Sequence, residues 1–324
     1  MPISAKLKQK NYLSLEICYE STNVYESFIR RSLMAANQTI SKKKRIYIEP
    51  YVYLVPAFLI FIVFTYWPFF RTIYRSLFLT DNRGIEKVFV GFKNYTDLLT
   101  SASFMNSILA TVQFVGIVLV LGMGFGFLTA ILCNRTFPGI RFFSTVYAMP
   151  MAIASSGIAM VFKTMLNQNI GIVNQLLGTD ISWLADPKWA LFSVAVLTGW
   201  LNSGINFLYF SAGLSAIDES LYESASVDGA NSINQFFHIT IPSLKPILFY
   251  TVVINIIGAF QSFGQIKILT AGGPGESTNV IVHDIYRNAF SNFRFGLASA
   301  ESVLLFLIIS VLTVIMFRIQ RRNT

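Results

Sequence analysis

Two sets of polar residues could do chemistry here, and both are defined by the apolar sequence around them. The first is Glu223-Ser-Ala-Ser-Val-Asp228-Gly229-Ala230, followed after eight residues by Ile239-Thr-Ile-Pro242, lodged between two long apolar stretches. Asp218 is a good N-cap for a helix beginning at Glu219, and Glu219 suits the positive end of that helix. Leu221 and Ala225 share a face at i, i+4. Gly229 permits the positive φ that ends the helix near Val227 and turns the chain. A second short helix is expected to carry Ile233, Phe236 and Phe237, with Pro242 and Pro246 stopping it before the next apolar stretch. A polar, glycine-broken pair of short helices of this kind reads as a docking element, whose small and apolar contacts could press into a groove on a partner. Glu223 could pair with a basic residue of that partner or cap the second helix. The bland alternative is an ordinary interfacial helix hairpin.

The second set lies inside the apolar stretches: Gln113, Asn202, Asn206, Asn255, Gln261 and Glu301. Polar groups there are costly and often line a solute path. Asn202 and Asn206 share a face at i, i+4. Tyr209 and Phe260 offer ring faces on which a solute ring could stack. For each Asn and Gln the competing role is hydrogen bonding between helices. Glu301 could accept solute hydroxyls or pair with a Lys or Arg at the mouth of the bundle. An unpaired carboxylate in the path disfavours an anionic solute unless it is paired or protonated.

Other chemistries find little to work with. The two histidines, His238 and His283, fall on opposite expected sides of a membrane. The cysteines, Cys18 and Cys133, fall on the expected cytoplasmic side, where a disulfide is disfavoured. Gly272-Gly273-Pro274-Gly275 is followed by no Lys-Ser/Thr pair and reads as a turn, not a phosphate loop. A membrane-embedded enzyme would need a catalytic cluster, and an ion-coupled secondary carrier would need more intramembrane ionisable groups than Glu301.

The elements that must hold these residues are membrane spans. The 324-residue chain is 54% hydrophobic and only 13% charged, where a soluble domain has about a quarter of its residues charged. The apolar residues cluster in stretches of bilayer length, expected at about 51–70, 108–132, 142–162, 189–210, 247–263 and 297–317. The fold class is therefore all-α, a six-span polytopic membrane protein with a helical loop, 213–246, between spans four and five. Residues 1–45 read as an N-terminal tail before a membrane domain at 46–324. The tail is either irregular or a short amphipathic helix, and Met34 is a possible alternative start.

The net charge of +9 gathers beside the spans, at Lys42-Lys43-Lys44-Arg45 and at Arg318, Arg321 and Arg322, where it sets topology and meets anionic lipid instead of nucleic acid. With both termini in the cytoplasm, fifteen Lys and Arg lie inside and ten outside. The cluster before span one should dominate, and the 213–246 loop then faces the cytoplasm.

The docking loop resembles the EAA loop of binding-protein-dependent ABC importer permeases, whose pattern reads E-A-A, three residues, G, nine residues, I-x-L-P. Glu223, Ala225, Gly229, Ile239 and Pro242 match, while Ser224 and Ile241 replace Ala and Leu. Further stretches are similar to the carbohydrate-importer branch: Phe89-Val-Gly91-Phe-Lys-Asn94-Tyr95, Leu269-Thr-Ala-Gly272-Gly273-Pro274 and Ile285-Tyr286-Arg287-Asn-Ala-Phe290. Ala216-Ile217 resembles the A-I-P that opens the loop, with Asp218 in place of Pro. Trp200, Asn206-Phe-Leu-Tyr-Phe210 and Leu312-Thr-Val-Ile-x-Phe317-Arg318 look closest to the first permease of glycerol-3-phosphate importers.

The resemblance implies a bacterial inner-membrane permease subunit that moves a sugar, oligosaccharide or sn-glycerol 3-phosphate by alternating access. It implies a second homologous permease, two ATP-binding cassette ATPases and an extracytoplasmic solute-binding protein as partners. ATP and Mg belong to the ATPases, and no cofactor is expected on this chain. Coupling would fall to Glu223, Ala225, Asp228, Gly229, Ala230, Ile239 and Pro242.

The orientation has a direct check. A cysteine placed beside Gly273 should react with an impermeant thiol reagent added outside the cell, and one beside Asn231 should not; the opposite labelling pattern would reverse the topology.

Overall fold

The computed structural model describes residues 49–134 and 138–322. The expectations for residues 1–45, including the basic cluster, Cys18 and Met34, and for Arg135, lie outside the described residues. The chain divides between Tyr66 and Trp67. Before the division, α1 (Glu49–Phe61) runs into a π-helical turn at Ile62–Tyr66.

After the division come α2 (Trp67–Arg75), a β1–β2 hairpin (Phe78–Thr80 and Glu86–Phe89), α3 (Lys93–Thr100) and the long α4 (Ala102–Cys133). Next are α5 (Ile140–Ala148), α6 (Ser155–Met165), α7 (Ile172–Leu177) and the long α8 (Pro187–Ser215). The segment 213–246 holds α9 (Glu219–Val227) and α10 (Ser232–Gln235). Then follow α11 (Ile241–Phe260), α12 (Gly264–Leu269), α13 (Ile281–Tyr286) and α14 (Phe295–Arg322). Among the described residues, five helical stretches are long and apolar enough to cross a membrane, and α5 with α6 makes a sixth only as a bent pair.

That bent pair modifies the expected third span. The axis turns by 98° between Ile140–Ala152 and Ser155–Met165. Pro150 has no N–H to give, and the Met149 N–H bonds Thr145 O and Val146 O as the chain tightens into a 3-10 turn. Ile153 and Ala154 are then extended, with ψ of 135° and 122°, before α6 starts. Pro150 marks an interruption of this apolar stretch in the sequence, and the structure shows the interruption to be a sharp bend.

α4 and α8 form the centre of the larger unit. Asp186 caps α8 by accepting from the Lys188 N–H at 2.9 Å, and Pro187 opens its first turn. The two helices approach so closely that side chains are excluded at the crossing. A Cβ on Gly126 would stand 2.6 Å from Asn206 Cβ and 2.9 Å from the Phe207 nitrogen, and one on Gly199 would stand 2.9 Å from Leu121 Cβ. Apolar burial between helices gains little in lipid, so close packing and buried polar contacts must hold them. Phe114 and Val118 of α4 meet Val194, Leu197 and Leu201 of α8, with Phe260, Ile266 and Ile281 closing the same core.

The β-hairpin, in a region the sequence offered only as a loop, pairs Phe78 with Phe89 and Leu79 with Val88. Its turn is wound on Asp81, whose carboxylate accepts from the N–H groups of Ile85 and Arg83 at 2.8 and 3.0 Å. The Ile85 bond above all holds Asp81 below the usual carboxylate range. Asn94 donates to Ser76 O and Phe78 O, and the Gly296 N–H donates to Thr80 Oγ1, tying hairpin and α3 to the start of α14.

Gly126→Ala should be costly despite its small size, because the new methyl meets backbone and Cβ atoms that cannot rotate away. A loss of about 1–3 kcal/mol is expected, as for overpacked cores, read as a lower thermal midpoint of the purified protein in detergent. An unchanged midpoint would mean that the α4–α8 approach is looser than described.

Candidate functional sites at the two ends of the bundle

At one end, α9 and α10 form a braced hairpin. The Asp218 carboxylate accepts from the Ser220 N–H at 3.0 Å, chiefly the interaction that holds its pKa below the usual value. Gly229 has φ +81°, and the Ala230 N–H closes the turn on Ala225 O at 2.9 Å. Asn231 caps α10 by accepting from the Asn234 N–H at 2.8 Å. The cap is therefore Asn231 and not Glu223, which is exposed and makes no hydrogen bond or ion pair among the described residues. Gln235 Nε2 reaches Ser226 Oγ at 2.8 Å, and Tyr222 OH meets Thr240 Oγ1 at 2.9 Å, so the two arms are crosslinked. Gln235 and Tyr222 carried no signal in the sequence, because their role depends on which arms lie side by side.

The expectation that Pro242 and Pro246 stop the second helix is corrected. α10 continues through a π-helical turn at Phe236–Thr240 directly into α11, with the Ile241 N–H bonded to Phe236 O. Pro242 falls in the first turn of α11, where its missing N–H is least costly, and Pro246 is carried inside the helix. Asp228, Gly229 and Pro242 are exposed, and Ala225, Ala230 and Ile239 are half-buried. Four apolar side chains also face outward: Leu221, Val227, Ile233 and Phe237, with Val227 89% exposed.

Within the spans, the candidate path residues separate. Asn206 and Asn255 are buried and hydrogen-bonded to each other in both directions, at 3.1 and 2.7 Å, with Asn255 also donating to Thr251 O. Both amides are spent joining α8 to α11. Phe260 is in the apolar core. Tyr209 packs edge-on against Tyr250, with ring centroids 5.4 Å apart. Gln113, Asn202 and Gln261 keep side-chain amides with no partner among the described residues. Gln113 lines an open cavity between α4 and α8 with Asn106, Lys188 and Ser277. Gln261 lines another with Ser302, Ser310 and Thr313.

Glu301 is completely buried; its Oε1 accepts from Asn288 Nδ2 at 2.7 Å, and its Oε2 has no partner among the described residues. The nearby arginine is committed elsewhere. Arg287 Nη1 donates to Glu276 at 2.6 Å, and Nη2 donates to Asp284 at 2.7 Å and to Ser103 Oγ at 3.1 Å. Burial disfavours this guanidinium, but the Glu276 hydrogen bond and the Asp284 charge outweigh it and raise its pKa. The Arg287 hydrogen bond in turn holds Glu276 below the usual range.

Asn279 bridges Asp284 and Ser107, and the Ile281 N–H donates to Thr111 Oγ1, so the Gly272–Arg287 loop is fastened to α4. This network escaped sequence reasoning. Asp284 and Arg287 at i, i+3 were its only local signal, and Glu276 and Ser103 join it only in three dimensions.

His283 is buried in the same network and meets Asn279 Oδ1 at 2.8 Å; a Cβ on Gly272 would stand 2.6 Å from the ring. Burial first, then the positive charges of Lys267 and Arg287, push its pKa down to about 4. Among the described residues, no three His, Cys, Asp or Glu cluster as a metal site.

Residues 122–324 match the family of binding-protein-dependent transport system inner membrane components. The chain is 34% identical over 280 residues to the sn-glycerol-3-phosphate transport system permease protein UgpA of Agrobacterium fabrum, covering 85% of this chain and 96% of that one. It is 35% identical over 282 residues to the probable ABC transporter permease protein YurN of Bacillus subtilis, covering 84% and 95%. Its fold is similar to that of a bacterial ABC transporter involved in the import of the acidic polysaccharide alginate, with a TM-score of 0.77, 24% identity and coverage of 89% and 99%.

The His283 environment sets a pH dependence. Its folded pKa lies below the unfolded value of 6.5, so the unfolded chain binds the extra proton between the two values. The stability of the α13 region is therefore full above 6.5 and falls as pH drops toward about 4. Hydrogen exchange of residues 279–287 should speed up across that window, and His283→Gln should flatten the response.

Proposed function

The chain belongs to the binding-protein-dependent transport system inner membrane components, and from that membership we propose how its two ends divide the work of import. It is a permease subunit of an ABC importer and not an enzyme. The solute is a carbohydrate or a polyol phosphate of the sn-glycerol 3-phosphate kind. This follows the relatives that are over 30% identical along nearly their whole length.

The subunit sits in a bacterial inner membrane with both termini in the cytoplasm. It pairs with a second, homologous permease. Two ATPases, which hold the ATP and Mg, dock beneath, and an extracytoplasmic binding protein delivers solute above. Residues 46–324 form the membrane domain, and 213–246 form its coupling loop.

The observation that carries this reading is the braced α9–α10 hairpin. It presents a free carboxylate, Glu223, beside exposed Leu221, Val227, Ile233 and Phe237. An apolar helical tip rimmed by a charge is what a cleft on a soluble partner recognises. ATP binding closes the ATPases and displaces the hairpin. Because α10 runs through the π-turn into α11 without a hinge loop, the displacement becomes movement of a span. The Asn206–Asn255 pair passes it to α8. Gln113, Asn202 and Gln261, with free amides, offer hydrogen bonds along the path, and Tyr209 offers a ring edge. Hydrolysis resets the cycle. An ion-coupled carrier would have no use for this hairpin, and nothing among the relatives supports one.

Gly229→Val tests the coupling role. A β-branched residue at φ +81° should cost about 1–2 kcal/mol locally and distort the turn while the spans still insert. Normal membrane levels with lost ATPase co-purification and lost ATP-driven uptake are expected. Wild-type association and uptake would sink the coupling assignment.

A further inference from the structure

Lys188 is exposed in the first turn of α8, and among the described residues its ammonium has no ion pair. The neighbouring Asp186 carboxylate is turned to the backbone, where it caps the helix. Lys188 stands at one end of an open groove of about 520 Å³ between α8 and α4. Leu109, Val112 and Gly116 of α4 form one wall, and Leu191 and Phe192 of α8 form the other. Lys188 is the single charged residue in this lining.

The groove has the dimensions of one leaflet. From Asn106 to Gly116 the α4 wall descends about ten residues, or about 15 Å. That is half of a hydrocarbon core about 30 Å thick. Trp183 and Trp189 flank the polar end, with ring centroids 5.3 Å apart, and Trp gathers where hydrocarbon meets headgroups. Side chains on a helix lean toward its N-terminus, so Lys188 and Gln113 both reach toward that level. Deeper in, a Cβ on Gly116 would have no neighbour within 4 Å, so the space there is open.

The chemistry narrows the occupant. Another apolar helix laid in the groove would cover Lys188 without a counter-charge, which is costly. A soluble phosphate compound would meet the cation but gain nothing from the apolar walls; Leu109 and Val112 are each 56% exposed. A phosphate ester with an acyl chain satisfies both parts.

We propose that this groove binds one anionic phospholipid, with its phosphate on Lys188 and an acyl chain along Leu109, Val112, Gly116 and Phe192. The Gln113 amide donates to an ester carbonyl of that lipid, which leaves Asn202 and Gln261 to the solute. The proposal goes beyond the importer reading and does not depend on it.

The test uses the purified transporter in phosphatidylcholine nanodiscs. Two probes are compared as minor components, phosphatidylglycerol and phosphatidylcholine, each with a diazirine on one acyl chain. Photolabelled positions are read by peptide mass spectrometry. The anionic probe should label 109–117 and 191–192 about fivefold more than the zwitterionic one, or about 1 kcal/mol, the contribution of one Lys near an anionic headgroup. At Val120, which is 71% exposed and outside the lining, the two probes should label equally.

Lys188→Gln should erase the fivefold preference. Gly116→Leu, which fills open space and favours the helix, should lower groove labelling by both probes while ATPase co-purification stays normal. Equal groove labelling by the two probes in the wild type would mark bulk lipid only and overturn the proposal. Labelling at Val120 with none in the groove would show that another chain covers it, and would overturn the proposal equally. So would an unchanged preference in Lys188→Gln. Loss of labelling on adding sn-glycerol 3-phosphate would return the groove and Gln113 to a soluble solute and reject the lipid.

Discussion

The close crossing of α4 and α8 is the constraint on which the rest depends. Lipid chains are as apolar as the side chains they would compete with, so burial alone gives two spans no reason to associate. Here the association rests on positions where no side chain fits, Gly126 and Gly199, and on Asn206, a buried amide that a single span could not satisfy. Asn206 sits against Gly126 on one side and bonds Asn255 of α11 on the other. The contact that seals two helices therefore also recruits the third. Individual intramembrane hydrogen bonds average only about 0.6 kcal/mol. The value of the reciprocal pair lies in fixing register, because either amide without the other would be stranded.

The two working ends hang from this centre by different physics. The α9–α10 hairpin is held by local devices: an Asp cap, a glycine turn, an Asn cap and two side-chain crosslinks. It can therefore move as a body without losing its shape. The opposite end is held by charge. Arg287, Glu276 and Asp284 tie a loop to α4 through groups that are partly or wholly withdrawn from water. In such surroundings an ion pair is unforgiving, because removing one partner strands the other. One end is a self-contained body shaped by its own backbone, and the other keeps its geometry only while its charges stay paired.

Much of this was legible in the sequence, for identifiable reasons. The spans were legible because about 20 apolar residues are needed to cross a bilayer and little else produces them. The hairpin was legible because capping and turn formation are local: Asp218 four residues before Tyr222, and Gly229 at a position of positive φ, act through their own backbone. Even the competing role for Asn206 and Asn255, hydrogen bonding between helices, could be stated. The identity of each partner could not be read, because the two residues are 49 positions apart.

The sequence alone thus determined the membrane class, the approximate positions of five continuous spans and the turn of the α9–α10 hairpin, all set by composition and by neighbours along the chain. Tertiary structure decided what depends on residues distant in sequence. It set the 98° bend of the third span just after Pro150, and it carried α10 through a π-turn directly into α11, with Pro242 in the first turn of that helix and Pro246 inside it. It placed Phe260 in the core and left Gln113 open. It also gave Arg287 to Glu276 and Asp284, so that the buried Glu301 side chain keeps Asn288 on one oxygen and, among the described residues, no partner on the other. A side chain's type fixes which bonds it can make, but only the folded chain fixes which partners are within reach.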